Sequence, residues 1–344
     1  MNNIQISFCI PTYNNAKSVH RLVTSILEND DQNIEVVVLD NGSTDETLSI
    51  LQNIDDTRLS LHSNGVNKGA LFNMMNVLDK GRGEYLVYST DHDHIDRQKI
   101  DKFKTFLREN SAVSFGYCEF NLDSKILFET FPSGIKALNK LGYITRHPTG
   151  YFFRNNDWKA IDAVKRFSDY EFVDLFPLEF VFAELSLLGD GAVYYDSIFS
   201  PERGVERITK HKSATTKGNS KKAFFSPESR LKLAINFESH IQSLSISELE
   251  KRKLIIKSFF RELNLATFEF KNIMSNNELC IHYYMDPKNI SKKELLQIGL
   301  SFYNGYSNKV INVRFKTFLE RLGFKVLLVS EFIKKVLKDF FKSI

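Results

Sequence analysis

Asp91 and Asp93 stand one residue apart, just past the apolar run YLVY at 85–88. In extended backbone alternate side chains share a face, so both carboxylates are expected on one side at the mouth of a sheet. Paired hard oxygen donors with an incomplete protein shell suit Mg²⁺ or Mn²⁺ and leave positions for phosphate oxygens. A polar turn after a strand gives the same spacing, so the pair needs company. Three further polar segments supply it: PTYNN at 11–15, DNGSTD at 40–45 and NGVNKG at 64–69, each following a short apolar run. Asp40 is placed to accept hydrogen bonds from a base or ribose, and Gly42 permits a left-handed turn beside it. Ser43 and Thr44 read as the cap of a helix opening at Asp45. His92 alternates away from the two aspartates and reads as surface.

The elements that must position these residues follow from hydrophobic spacing. Residues 4–10 read as a buried strand stopped by Pro11, 34–39, 58–62 and 85–88 as further strands, and 16–27, 45–54 and 68–78 as helices. Repeated strand–helix units imply an α/β fold, a mostly parallel sheet with helices on both faces and ligands beyond the carboxyl ends of the strands. Strands are predicted at 113–120 and 192–195, and a helix at 177–188 opened by Pro177. Beyond about residue 200 glycine becomes sparse and helical periodicity dominates. The expected division is a 1–200 catalytic and binding region and a helical 201–344 extension, with 210–222 the candidate mobile segment.

Composition narrows the classes. The chain has 344 residues, 42% hydrophobic and 26% charged, enough for one substantial core and a smaller unit. A net charge of +4 is too small to imply nucleic acid as a partner. Cys9, Cys118 and Cys280 are far apart and odd in number, which fits a reducing compartment, the cytoplasm, rather than a disulfide framework. The amino terminus lacks a charged leader, and no window approaches the ~20 apolar residues of a bilayer span. In 322–344, Val326, Val329, Ile333, Val336, Leu337, Phe340 and Ile344 form one helical stripe opposite Lys334, Lys335, Lys338 and Lys342. Two readings stay open for it: peripheral contact with an anionic membrane, or packing on the chain's own domain or a partner subunit, a homo-oligomer included.

The ordered set SFCIPTYNN (7–15), EVVVLDNGSTD (35–45), NKG (67–69) with Asn73, and GEYLVYSTDHD (83–93) resembles the amino-terminal half of glycosyltransferase family 2. The resemblance implies the GT-A fold and an inverting, metal-dependent transferase of bacterial surface-polysaccharide type. The implied donor is a nucleotide-sugar, most often a UDP-sugar, and the implied acceptor a glycan or lipid-linked saccharide at the inner face of the cell membrane. Pro11, Thr12, Tyr13, Asp40 and Asn41 are then expected near the base and ribose, Lys68 near the nucleotide, and Asp91 and Asp93 at the metal, Mn²⁺ or Mg²⁺, and the diphosphate. Where the family commonly has a further aspartate this chain has His94, read as replacing a carboxylate that supports the ligands.

The general base implied by the resemblance is Glu179, in the first turn of the 177–188 helix, where the helix dipole is expected to keep it ionised. Asp174 and Glu184 are rivals. Thr149 and Gly150, in HPTGYFFR at 147–154, match a family segment that shapes the donor and acceptor pocket, though a plain turn is an equal reading. Arg203, Arg207, Lys210 and Lys212 form a basic run that would neutralise a departing diphosphate, and His211 within it is the candidate third metal ligand. Two other functions remain open from sequence. A nucleotidyltransferase lacks its Gly-rich basic loop here, and a non-catalytic glycan-binding component would retain the fold alone.

Overall fold

The run beginning at Ile6 is buried at every position but Pro11, as befits a strand covered on both faces. It forms β1 (Ile6–Thr12). The computed structural model describes residues 4–120, 125–167, 175–200, 224–282 and 285–311, with Val326 and Ser330. Asp174, the basic run with Arg203, Arg207, Lys210, His211 and Lys212, the 210–222 segment and the rest of the terminal stripe lie outside the described residues. The chain divides into two units, Met1–Glu202 and Arg203–Ile344.

In the first unit, α1 (Ala16–Leu27), β2 (Ile34–Asp40), α2 (Thr47–Gln52), β3 (Leu59–Ser63), α3 (Ala70–Asp79) and β4 (Tyr85–Tyr88) follow the expected strand–helix rhythm. Then come β5 (His94–Ile95), α4 (Ile100–Glu109), β6 (Val113–Cys118), β7 (Phe128–Phe131), α5 (Ile135–Leu141) and β8 (Tyr151–Arg154). The unit closes with α6 (Asn155–Ala160), α7 (Ala163–Phe167), α8 (Pro177–Leu185), β9 (Asp190–Tyr194) and β10 (Phe199–Ser200). The main sheet has eight strands in the order β3-β2-β1-β4-β8-β6-β9-β7, and β5 pairs with β10 in a small second sheet. Pairings among β1–β4 and between β6 and β9 are parallel, whereas β8 runs antiparallel to both β4 and β6.

Pro11 does not stop β1, which continues to Thr12. The reason is that β4 pairs with β1 only as far as Cys9, so the proline lies beyond the last β4 partner and no ladder bond on that side is lost. Helix α2 begins at Thr47, two residues later than expected, because Asp45 accepts a hydrogen bond from the Thr47 amide at 3.0 Å and takes the capping role expected of Ser43 or Thr44. The core gathers aromatic rings from distant segments. Phe103, Phe106, Phe152 and Tyr194 meet on one face, and Phe153, Phe182 and Trp158 pack together elsewhere in the same unit.

The second unit is helical where described, with helices Pro227–Ser243, Glu248–Asn264 and Lys292–Tyr306 as its longest elements. Serines head all three: Ser226, Ser247 and Ser291 each accept an amide hydrogen bond from the first turn. Phe237, Phe259, Phe302 and Tyr306 are buried within it, as is an ion pair between Arg230 and Glu262 at 3.2 Å. No helix among the described residues is long and apolar enough to cross a membrane.

Candidate functional site

Because β1, β2 and β3 run parallel in register Thr12–Asp40–Ser63, with β4 ending alongside, the loops that leave them gather at one edge. Asparagines stitch those loops together. Asn41 accepts hydrogen bonds from the Lys68 amide at 2.9 Å and Asn64 at 3.1 Å, and donates to Asn67 at 3.0 Å. Asn73 donates from α3 to the Leu39 carbonyl at 2.8 Å and accepts from Asn64 at 2.9 Å. Across the gap Asn14, at φ 50°, donates its amide to Ser43 Oγ and accepts from the Thr44 amide.

Several residues of the expected nucleotide set belong to this lattice or lie buried beside it. Asp40 is 1% exposed, and its carboxylate accepts from the Gly42 and Ser43 amides and the Ser63 hydroxyl at 2.9–3.1 Å. These bonds shape the turn that follows β2. Asn41 and Thr12 are likewise buried, and Thr12 Oγ1 donates to Asp91 Oδ2 at 2.8 Å. What remains open at this edge is Tyr13, 37% exposed beside Pro11, the exposed Lys68 with Nζ 4.9 Å from the Phe72 ring centre, and the Asp91 carboxylate.

Gly42 is required by two facts, φ +74° and a Cβ position that would lie 2.6 Å from the Val66 backbone. Gly65 shares the positive φ, +70°, with nothing within 4 Å. Gly42→Ala is expected to destabilise the chain by about 2 kcal/mol and Gly65→Ala by about 1 kcal/mol. Equal melting temperatures for the two variants would refute the close-approach argument.

The two aspartates lie beyond β4, with their carboxylates on either side of one imidazole, that of His92. Strand β4 ends at Tyr88 and the chain turns at Asp91 and His92, so strand alternation no longer applies. The Asp91 side chain is 15% exposed and reaches the tip of β1 through Thr12. Asp93 is 0% exposed; its Oδ2 accepts from Thr90 Oγ1 and Thr149 Oγ1, both at 2.6 Å, and lies 2.7 Å from His147 Nε2. Burial alone would raise the Asp93 carboxyl, but the hydrogen bond and charge of His147, with His92 and Thr149, outweigh it and hold the group well below the usual carboxylate range.

His92 is not surface. Its ring lies between the carboxylates, 3.3 Å from Asp91 and 3.9 Å from Asp93, and its carbonyl accepts from Arg21 at 2.6 Å. His94 is exposed on β5, where it pairs with Ser200 of β10, away from the supporting place expected for it. For Mn²⁺ or Mg²⁺, no cluster of three His, Cys, Asp or Glu among the described residues is arranged as a site. The donor chemistry that fits is one accessible carboxylate, Asp91, completed by phosphate oxygens and water. On Asp93, the Oδ2 atom is engaged by two hydroxyls and an imidazole.

His147, expected only within a turn or pocket-shaping segment, is a direct partner of Asp93. The available signal was its position two residues before Thr149, with Pro148 between, which delivers both side chains to one carboxylate. Gly150, at φ +84°, donates its amide to Tyr88 at 2.8 Å and accepts from the Cys118 amide at 2.9 Å, so Thr149 and Gly150 are pinned beside the 89–93 turn.

Glu179 heads α8 as expected, yet it is 1% exposed. Its Oε1 accepts from Tyr151 Oη at 2.7 Å and the Arg146 amide at 3.3 Å, and its Oε2 from the Ile144 amide at 2.8 Å. Burial raises its carboxyl above the ordinary glutamate value despite these donors, the reverse of the expected dipole effect. Glu184 is ion-paired with Arg166.

Residues 7–160 match the family model for glycosyl transferase family 2. A Campylobacter jejuni relative, the GalNAc(5)-diNAcBac-PP-undecaprenol beta-1,3-glucosyltransferase, is 26% identical over 155 residues, 43% of this chain and 50% of its own length. The Escherichia coli UDP-Glc:alpha-D-GlcNAc-diphosphoundecaprenol beta-1,3-glucosyltransferase WfaP is 29% identical over 118 residues, 34% of this chain and 47% of its own. The chain thus spans about half the length of the curated relatives it matches. Among solved structures, S. aureus TarS 1-349 in complex with UDP-GlcNAc superposes with a TM-score of 0.55 at 16% identity, covering 88% of this chain and 92% of that one. At that identity the likeness speaks to the fold.

Proposed function

We propose, from the match of residues 7–160 to the family model for glycosyl transferase family 2, that the chain moves a sugar from a UDP-sugar to a glycan or lipid-linked saccharide in surface-polysaccharide synthesis. The observation that supports this reading is that Tyr13, Lys68 and Asp91 all follow the carboxyl ends of parallel strands β1, β3 and β4, with Tyr13 and Lys68 exposed there. Tyr13 offers a face to a base, Lys68 a cation to a phosphate, and Asp91 an anionic oxygen at the place where a divalent cation would sit. The preference for UDP is supported by the UDP-Glc in the Escherichia coli relative's name and by the UDP-GlcNAc in the superposed TarS complex. The cytoplasmic face of the membrane is where a lipid-linked acceptor would meet such a donor.

Within this reading Thr12 orients Asp91 by donating to one of its oxygens, and Asn41 and Asn73 hold the loop that carries Lys68. A divalent cation bound at Asp91 supplies neutralisation of the donor's diphosphate. Inverting transfer needs a base at the acceptor hydroxyl. Glu179 has both oxygens turned to loop amides and Tyr151, and Asp174, outside the described residues, is the rival carboxylate for that role.

UDP with Mn²⁺ is expected to raise the melting temperature more than GDP or dTDP does, corresponding to about 2.7 kcal/mol at a hundredfold excess over Kd. Hydrolysis or transfer of a UDP-sugar then separates the enzyme from a non-catalytic component. Absence of any nucleotide-dependent shift would sink the proposal.

A further inference from the structure

The segment linking α5 to β8 bends in a way that L-residues resist. Tyr143 has φ 57° and Thr145 φ 44°, two left-handed side-chain-bearing residues separated only by Ile144. Such geometry persists where surroundings over-determine it. Here the surroundings are one carboxylate: the amides of Ile144, Thr145 and Arg146 converge on Glu179. Successive amides turned inward by this backbone form an anion-accepting concavity, and Glu179 fills it. Tyr151 closes the other side by donating its hydroxyl to Glu179, its ring stacked on Phe182 of α8 at 4.6 Å.

The next residues lead directly to the candidate site. Arg146 lies 3.5 Å over the Tyr117 ring and pairs with Glu119 at 3.0 Å, His147 and Thr149 grip Asp93, and the Thr90 amide donates to Thr149 Oγ1 at 3.0 Å. The Tyr88 carbonyl accepts from Gly150. The contacts of His147, Thr149 and Gly150 tie the 143–151 segment to residues 88–93, which carry Asp91, while those of Arg146 tie it to Tyr117 and Glu119.

We propose that Glu179 is a positioning residue: by anchoring the strained 143–147 backbone it sets His147 and Thr149 on Asp93, and through Asp93 fixes the 89–93 turn that presents Asp91 to the donor diphosphate. The inference deepens the transferase reading and rests on it for the site being served. It assigns α8, on the far side of the loop, a part in donor binding, and it takes the proton-transfer role away from Glu179.

The test is Glu179→Gln in the full chain, with two independent readouts. Hydrogen exchange, which needs no ligand, should show faster exchange in 143–151 and also in 89–93; unchanged exchange in 89–93 overturns the coupling whether or not the chain binds a nucleotide. In kinetics with a UDP-sugar and Mn²⁺, UDP affinity should fall about tenfold, KM should rise more than kcat falls, and the shape of the pH–rate profile should be kept. His147→Gln should give the same signature, and the double variant should be little worse than either single one. A kcat loss of a thousandfold with unchanged UDP affinity and a vanished acid limb of the pH–rate profile would identify a general base and overturn the proposal. Should Glu179→Gln fail to fold, Tyr151→Phe removes one donor to the same carboxylate and is expected to show the weaker form of both signatures; wild-type behaviour in Tyr151→Phe then counts against it. If wild-type protein binds no nucleotide, the transferase reading fails while the exchange experiment still decides the coupling.

Discussion

Asp91→Asn lowers kcat/KM for sugar transfer by about a thousandfold and leaves the melting temperature of the unliganded chain nearly unchanged. The substitution keeps the shape of the side chain and an oxygen for the Thr12 hydroxyl, which now donates to Asp91 Oδ2 at 2.8 Å. What it removes is the negative charge at the one site carboxylate that is both partly exposed and next to the tip of β1. Binding a divalent cation and a diphosphate depends on that charge, because hard cations are held by anionic oxygen and neutral amides replace it poorly. Steady-state kinetics across a Mn²⁺ titration would check this. A loss of less than tenfold, not recovered or deepened by metal, would place the diphosphate elsewhere.

Asp93→Ala is expected to act on stability first, costing about 3–5 kcal/mol at neutral pH. Its carboxylate is fully buried against Thr90, Thr149 and His147, so truncation leaves two hydroxyls and an imidazole facing a cavity. The sign of the pH dependence follows from the direction of its shift. A carboxyl held below its ordinary value stabilises the fold fully above the unfolded value of roughly 3.9, and the contribution is lost as pH falls through the lower folded value. The stability gap between wild type and Asp93→Ala, measured by urea denaturation, should therefore be wide at pH 7 and narrow as pH drops below about 4. A gap that is constant with pH would mean that Asp93 contributes packing and no charge.

The strands β1, β2 and β4 were legible because each is a mostly apolar run buried on both faces, β3 by its alternation of leucines with polar residues, and α1 because Val19, Leu22, Val23, Ile26 and Leu27 repeat at helical spacing. The meeting of four polar segments followed from parallel topology alone. Side-chain commitments were not legible. Asp40 finds Ser63, and Glu179 finds Ile144 and Tyr151, across separations of 23–35 residues that no local pattern encodes. The nearness of Asp91 and Asp93 has another origin than strand alternation: β4 ends three residues before Asp91, a period of two holds only inside extended backbone, and the turn brings both carboxylates to His92. His147 was hidden because its partner lies 54 residues away.

The placement of β8 has a consequence for the growing polypeptide. It occupies the middle of the sheet, antiparallel between β4 and β6, although it follows both in the chain. Until the ribosome has released residue 154, β4 has an unpaired flank made of Tyr85, Leu86, Val87 and Tyr88, an apolar ladder open to any other nascent strand. Chains interrupted between 88 and 151 should accordingly be sticky and depend on holdase chaperones, whereas those extended past 154 can seal that flank from within.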